Sequence, residues 1–471
     1  MHIIHKGRIV GVVMYYRVGK TYGLSGEITV QGSKNEALPV IAAAILNKGR
    51  TVMRNCPDIS DVRIMLKILK HLGCNYKFEN NILELDSDKI NVSDIPKEDV
   101  TKLRSSIVLA GALLSRNNWC KISYPGGCNI GLRKIDVHID ILRKMGYEID
   151  ENEETSELIC GGRVNGDNHI RLRVRSVGAT ENGILAAVLS DGYCVTFSNV
   201  SKEPEIVNLC KALIKMGADI TGAGTDEIVV KGVKSLRDTT IDISCDRIVC
   251  GTYLAAVTAV GGEVRLLNVN KNFDKSILNE LEKFGMKYKI SNDEMWVSKT
   301  CKDYKSERDI IISTSAYPGF PTDMQSQMMT LLSRRKGSGI IIENIFENRF
   351  GTAKMLNKMG ADIKIIGDRI ALINGVDKLY GEKVEATDLR GGASLIIAGM
   401  IAENHTIIEN AEFIKRGYES IERDLGKLGA DIELSPEETE LKELTDSALT
   451  KLCAMTDEKF AELELYPDFD Q

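Results

Sequence analysis

Six times along this chain a helix-forming stretch ends in Leu, Met or Phe followed by Gly and runs directly into strand-like alternation. The junctions are Leu72-Gly73-Cys74-Asn75-Tyr76, Met145-Gly146-Tyr147-Glu148-Ile149, Met216-Gly217-Ala218-Asp219-Ile220, Phe284-Gly285-Met286-Lys287-Tyr288, Met359-Gly360-Ala361-Asp362-Ile363 and Leu428-Gly429-Ala430-Asp431-Ile432. Their glycines recur roughly every 70 residues, the mark of a repeated supersecondary unit. A glycine just past a helix supplies the left-handed residue that ends it, and the alternation that follows marks a half-buried strand. At 471 residues the chain is too long for one ordinary core. Six units therefore predict two domains of three, with a binding cleft between them. The unit is longer than common solenoid repeats and its copies share no regular polar face, so two globular lobes are expected rather than an open array.

Several copies carry a nearly continuous apolar helix rich in small residues, as at 37–46, 250–260 and 392–402. A helix apolar on all sides is a buried helix, which predicts helices inside and sheets outside. The pattern stops after Leu434, where a charged tail holds a helix-like segment at 437–452. A net charge of -6 lacks the basic surplus of a nucleic-acid-binding protein. Eleven cysteines stand singly with no CxxC pair, which fits reduced thiols and no zinc site. The apolar run from Ile9 to Tyr16 lacks a small-residue cleavage site and is too short to span a bilayer. With no longer apolar stretch elsewhere, a cytoplasmic location without membrane insertion is expected.

Three stretches carry chemistry. Gly32-Ser33-Lys34-Asn35 sits at a strand-to-helix junction, where backbone N–H groups and a cation together can receive an anion; read alone, Lys34 is a surface lysine at a cap. Around Cys128 the chain reads Pro125-Gly126-Gly127-Cys128-Asn129-Ile130-Gly131-Leu132-Arg133, a single thiol on a glycine-rich loop with a cation five residues on. Arg133 can pair with an anion or draw the thiol toward its thiolate, while the bland reading is a buried cysteine in a turn. Tyr317-Pro318-Gly319-Phe320-Pro321-Thr322-Asp323 leads into a helix, so Asp323 reads equally as an N-cap or as a base toward a substrate hydroxyl. Arg104, Arg133, Arg390 and Arg416 recur beside glycines or helix starts on different repeats, so that they could converge on one phosphate or carboxylate.

These motifs, with Ser176-Val177-Gly178-Ala179-Thr180-Glu181-Asn182, Glu203-Pro204-Glu205-Ile206, Glu347-Asn348-Arg349-Phe350, Asp388-Leu389-Arg390 and Arg416-Gly417-Tyr418-Glu419, resemble the UDP-N-acetylglucosamine enolpyruvyl transferases. They occur in that family's order from Tyr15 to Leu434. The resemblance implies two inside-out α/β barrel lobes, each of three βαβαββ repeats, with the active site in the interlobe cleft. It places the first lobe at 1–33 and 243–434, with 1–13 as an N-terminal extension, the second at 34–242, and a charged C-terminal extension at 435–471. It further implies transfer of the enolpyruvyl group of phosphoenolpyruvate to the 3'-hydroxyl of UDP-N-acetylglucosamine, with release of phosphate, the first committed step of peptidoglycan precursor synthesis.

On the matched positions, the resemblance makes Cys128 the acid and Asp323 the base or orienter. Lys34, Arg133 and Arg416 become the phosphoenolpyruvate cations, supported by Arg104 and Arg390, and Asn35 fixes the reacting region. For the UDP-sugar it points to Arg133, Lys134, Ile135, Asp136, Val137, His138, Ser176, Val177, Gly178, Asp323, Ile345 and Phe346. Asp136 and His138 have no further ligands at metal spacing, so no metal or other cofactor is expected. The chain departs from the family at Lys134, Val174, Lys202, Glu36 and Val249, where proline, lysine or an aromatic, arginine, alanine and glutamate respectively are usual. The rival readings are a transferase acting on shikimate 3-phosphate and a UDP-sugar sensor without turnover.

Overall fold

The computed structural model describes residues 2–5, 8–126, 135–152, 154–300 and 309–440. All six repeat glycines adopt positive φ, from +85° at Gly285 to +110° at Gly217, the left-handed conformation in which a side chain is costly. Each ends an amphipathic helix and turns the chain into an outer strand.

One copy shows the unit. Strands Ile310–Ser313 and Ser338–Ile342 run parallel with the helix Gln325–Arg334 between them in sequence. The helix Gly351–Lys358 then leads into Asp362–Ile366 and Ile370–Asn374, which pair antiparallel. The second of these also pairs antiparallel with Ser338–Ile342, completing βαβαββ. Among the described residues, six sheets of three to five strands surround two separate apolar cores. One core draws its buried residues from Ala37 to Ile243, the other from Tyr16 to Val30 and from Ile248 to Leu428. The inner helices are Lys34–Ala44, Val108–Asn117 and Val177–Ala187 in one lobe, and Arg247–Val260, Gln325–Arg334 and Leu389–Ile401 in the other. No helix among the described residues is long and apolar enough to cross a membrane.

The chain passes between lobes twice, and the two crossings pair with each other. Gly32 bridges Cys245, Ser33 N–H donates to Ser244 O at 2.7 Å, and Asp246 N–H donates to Gln31 O at 2.9 Å. Each crossing leaves behind a strand that completes a sheet formed elsewhere in sequence. Leu24–Thr29 pairs parallel with Gly262–Leu267, and Thr239–Asp242 pairs parallel with Arg50–Arg54.

The expected helix at 437–452 is not what its first residues form. Residues 437–440 continue the strand Ile432–Glu440, which pairs antiparallel with Arg8–Val18 from Val18↔Ile432 to Val10↔Glu440. An open strand edge offers a row of unpaired N–H and C=O groups, and pairing them outweighs local helix preference. The remainder of that segment lies outside the described residues.

Within the first core, the helices Val108–Asn117 and Val177–Ala187 meet backbone to backbone at Gly111. A methyl group there would lie 2.3 Å from Asn182 O, and Gly111 N–H donates to Asn182 Oδ1 at 2.7 Å. Gly111→Ala must push these helices apart, and we expect a loss of about 2 kcal/mol in stability. Thermal unfolding tests this, and a variant that melts with the wild type would mean the contact is not close-packed.

Candidate active site

A cleft of about 630 Å³ is lined by residues of both lobes. Of the sequence-predicted residues, it gathers Lys34, Asn35, Arg104, Asp136, Val137, His138, Ser176, Val177, Gly178, Asp323, Ile345, Phe346, Arg390 and Arg416. Ile135 is buried beside it at the cap of the helix Asp136–Lys144 and is not part of the lining. Cys128, Arg133 and Lys134 lie outside the described residues.

Lys34 opens its helix behind Ser33, whose hydroxyl accepts the Glu36 N–H at 3.3 Å. Its ammonium meets Asp61 Oδ2 at 2.6 Å, while Arg416 Nε, from the other lobe, meets Asp61 Oδ1 at 2.8 Å. The Asp61 carboxylate is only 3 % exposed and joins a cation from each lobe. Burial alone would raise its pKa, but Lys34 and Arg416 outweigh that and hold it below the ordinary value.

A second charge knot forms around Asp323. It lies in the short 3-10 turn Thr322–Met324 that precedes the helix Gln325–Arg334, and no side chain caps that helix. Asp323 instead pairs with Arg349 Nη2 at 2.7 Å and Arg390 Nε at 3.4 Å. Burial pushes its carboxyl up, but Arg349, Arg390 and Lys34 together hold it well below the usual carboxylate range. The N-cap alternative fails because two nearly buried guanidinium groups bind a carboxylate more strongly than free backbone N–H groups do. Arg390 rests over the Tyr418 ring at 5.4 Å. Arg349 also donates to Thr322 Oγ1 at 3.1 Å, and that hydroxyl donates to the buried Glu343. Glu343 Oε1 in turn accepts the N–H groups of Ile345 and Phe346 at 2.9 and 3.1 Å, which fixes both residues on the cleft wall.

The opposite wall is built on the helix Val177–Ala187. Ser176 caps it by accepting the Ala179 N–H at 3.3 Å. Because Asn182 Oδ1 accepts from Gly111, its amide nitrogen donates to His138 Nδ1 at 3.2 Å, leaving the ring proton on Nε2. Burial, with Arg104 nearby, pushes His138 down to about 3, so the ring is neutral. Asp136 is exposed and ion-paired with Arg173.

Several cleft residues were not singled out from sequence: Asp61, Arg349 and the carboxyls Glu181, Glu203 and Glu205. Arg349 stood inside a quoted motif without a role, and Asp61 lies in the first turn of the helix Ser60–His71, where an acid is common and carries no signal of a site. Glu181 is buried, and burial with Glu205 and Glu203 pushes it up to about 8. Among the departures, Val174 is exposed on the cleft lining, whereas Lys202 pairs with Asp226 at 2.8 Å. Glu36 accepts from Asn208 at 2.7 Å and from Ser244 N–H at 3.2 Å at the lobe crossing, and Val249 is fully buried. No cluster of three or more His, Cys, Asp or Glu is arranged to hold a metal among the described residues.

Two lobes of inside-out α/β repeats around a cleft lined by paired cations and carboxylates define a class. The family described as EPSP synthase (3-phosphoshikimate 1-carboxyvinyltransferase) matches residues 18–425, and the chain belongs to it. Within that class the chain is 48% identical over 410 residues to UDP-N-acetylglucosamine 1-carboxyvinyltransferase 2 of Caldanaerobacter subterraneus subsp. tengcongensis, covering 87% of this chain and 96% of that protein. It is 40% identical to UDP-N-acetylglucosamine 1-carboxyvinyltransferase of Thermotoga maritima, covering 87% and 96%. Among solved structures, the enolpyruvyl transferase NikO of Streptomyces tendae superposes with a TM-score of 0.81 at 22% identity, covering 91% of this chain and 100% of that one. EPSP synthase of Acinetobacter baumannii gives 0.66 at 16% identity, covering 90% and 100%. A second family, described as a transposon-transfer assisting protein, matches residues 421–467.

Two stability experiments follow from this geometry. Asp61→Asn leaves Lys34 and Arg416 facing each other without a counter-charge, and we expect a loss of about 3 kcal/mol, partly restored by inorganic phosphate in the cleft. Asp58→Asn, which breaks only an exposed pair with Arg63, should cost under about 1 kcal/mol; equal losses would remove Asp61 from this role. Glu181 ionises near 4.5 when exposed and near 8 when folded. Across that window the folded state holds a proton the unfolded state lacks, so stability falls as pH rises, by at most about 1 kcal/mol per pH unit. Glu181→Gln should therefore gain on the wild type from pH 5 to pH 8 in urea unfolding; equal gains at both pH values would rule the shift out.

Proposed function

We propose that the chain transfers the enolpyruvyl group of phosphoenolpyruvate to the 3'-hydroxyl of UDP-N-acetylglucosamine, in the cytoplasm and as the first committed step of peptidoglycan precursor synthesis. The observation that carries this reading is the convergence of Lys34, Arg390 and Arg416 with Asp323 in one cleft, in a chain up to 48% identical to proteins of that name. Phosphoenolpyruvate brings a phosphate and a carboxylate, which suit a clamp of fixed cations.

In this reading the acceptor hydroxyl, giving its proton to Asp323, bonds through oxygen to the central carbon of phosphoenolpyruvate while the Cys128 thiol gives its proton to the methylene carbon and is left as the thiolate. The tetrahedral intermediate then returns a proton from that carbon to the Cys128 thiolate, and the freed C–H pair restores the double bond as the C–O bond to phosphate breaks and phosphate leaves. Arg133 joins Lys34 and Arg416 at the phosphoenolpyruvate anions, with Arg104 and Arg390 as supporting charge and Asn35 beside them. Asp323 acts first as an orienter: ion pairing that depresses its pKa also weakens it as a base, but leaves a fixed acceptor for a hydroxyl proton. Arg133, Lys134, Ile135, Asp136, Val137, His138, Ser176, Val177, Gly178, Ile345 and Phe346 take the UDP-sugar, with the neutral His138 offering an N–H rather than a charge.

A coupled phosphate-release assay tests the acceptor. We expect turnover with UDP-N-acetylglucosamine and none with shikimate 3-phosphate. The opposite result would move the chain to the other acceptor, and binding without phosphate release would make it a sensor. The thiol is tested with fosfomycin, a small anionic epoxide, which should add its mass at Cys128 alone and react faster with the UDP-sugar present. Cys128→Ser should lose most turnover because a hydroxyl is a far weaker acid, whereas Cys128→Asp should keep activity shifted toward lower pH. Normal turnover by Cys128→Ser would return this loop to a structural role.

A further inference from the structure

The segment that carries Arg416 into the cleft is fastened at points outside the charge knot. Glu419 Oε1 accepts the Asp58 N–H at 2.7 Å and the Asn81 amide at 2.6 Å, and both donors belong to the opposite lobe. Asn81 is itself anchored. Its backbone is left-handed at φ 60° in the turn between strands Asn75–Glu79 and Ile82–Asp86, and its amide also donates to Cys56 O at 3.0 Å. On the other side, the Gln31 side chain grips the same segment from the lobe crossing: its nitrogen donates to Gly417 O at 3.1 Å, and its oxygen accepts the Glu419 N–H at 2.9 Å. The next contact along the segment is Arg416 with Asp61, three residues beyond Asp58.

From this geometry we propose that Glu419, braced by Gln31, is a positioning residue that docks the 416–419 segment on the opposite lobe and so sets Arg416 in the cleft. Its effect on turnover rests on the proposed reaction. Glu419 does not touch the cleft lining, so it acts through Arg416. An arginine side chain has many rotamers, and holding its backbone at both flanks removes freedom that a substrate anion would otherwise have to remove. The acceptor geometry matters here more than the charge, because both donors are neutral amides and converge on one oxygen.

The test compares Glu419→Ala with Glu419→Gln, whose side-chain oxygen still accepts from both donors. We expect Glu419→Ala to raise KM for phosphoenolpyruvate by about tenfold, the size expected from losing a hydrogen bond to a charged group, with a smaller change in kcat. Glu419→Gln should return to within about threefold of wild type. Amide exchange at Asp58 should quicken in the alanine variant and stay slow in the glutamine one. If Glu419→Ala fails to fold, Asn81→Gly, which keeps the left-handed backbone and removes one donor, should show a smaller rise in KM and faster exchange at Asp58. An unchanged KM, or equal impairment in Ala and Gln variants, overturns the proposal. If the wild type shows no phosphate release with these substrates, the proposed function fails separately, and unchanged Asp58 exchange in Glu419→Ala is then the result that sinks the clasp.

Discussion

One buried carboxylate holds the cleft together. Asp61 faces Lys34 from its own lobe and Arg416 from the other. Without it, two largely buried cations would repel each other across the interface, and desolvation would add to the cost. With it, a cation from each lobe is held on one carboxylate at the cleft wall. The same carboxylate also denies the cations alternative partners, so they remain aimed at the cleft.

The Asp323 knot repeats this arrangement, one carboxylate between two cations. Two guanidinium groups, Arg349 and Arg390, share one carboxylate, and each is fixed from behind: Arg390 by the Tyr418 ring and Arg349 by Thr322 and the Phe346 ring. The chain from Glu343 through Thr322 to Arg349 links the wall bearing Ile345 and Phe346 to the charge cluster. A shift of that wall is therefore felt at Asp323 through hydrogen bonds rather than through loose packing.

Local features were legible in the sequence and long-range pairings were not. A glycine after a helix is a local requirement of backbone geometry, and all six of those glycines took positive φ. The inner helices read at 37–46, 250–260 and 392–402 were legible because a helix with no polar face has nowhere to sit except a core, whereas Gln325–Arg334 buries Gln325, Ser326 and Gln327 and gave no such signal. The partnership of Asp61 with Arg416 spans 355 positions, and nothing in a single sequence marks two residues so far apart as neighbours. Asp323 was ambiguous for the same reason: its local signal was a cap, and its actual partners come from two other segments. The 437–440 stretch went to a strand because its partner lies at the other end of the chain.

The crossings place Lys34 by its backbone at the point where the two lobes are joined. Asp246 caps the helix Arg247–Val260 by accepting the N–H groups of Ile248 and Val249 with Oδ1, at 2.8 and 3.0 Å. Its other oxygen accepts the Lys34 N–H at 3.1 Å, at the start of the first inner helix of the opposite lobe. One carboxylate thus serves the first turns of two helices that lead into different cores, at the point where the crossing strands pair. In any rotation of the lobes about this pair of strands, atoms near the axis move least, so Lys34 stays in place. Arg416 reaches the cleft from a segment whose side chains meet the far lobe at Asp61, the Asp58 N–H and Asn81. On the proposed reaction, the phosphoenolpyruvate cations thus come from two places, Lys34 beside the lobe crossing and Arg416 from a segment that bridges the lobes.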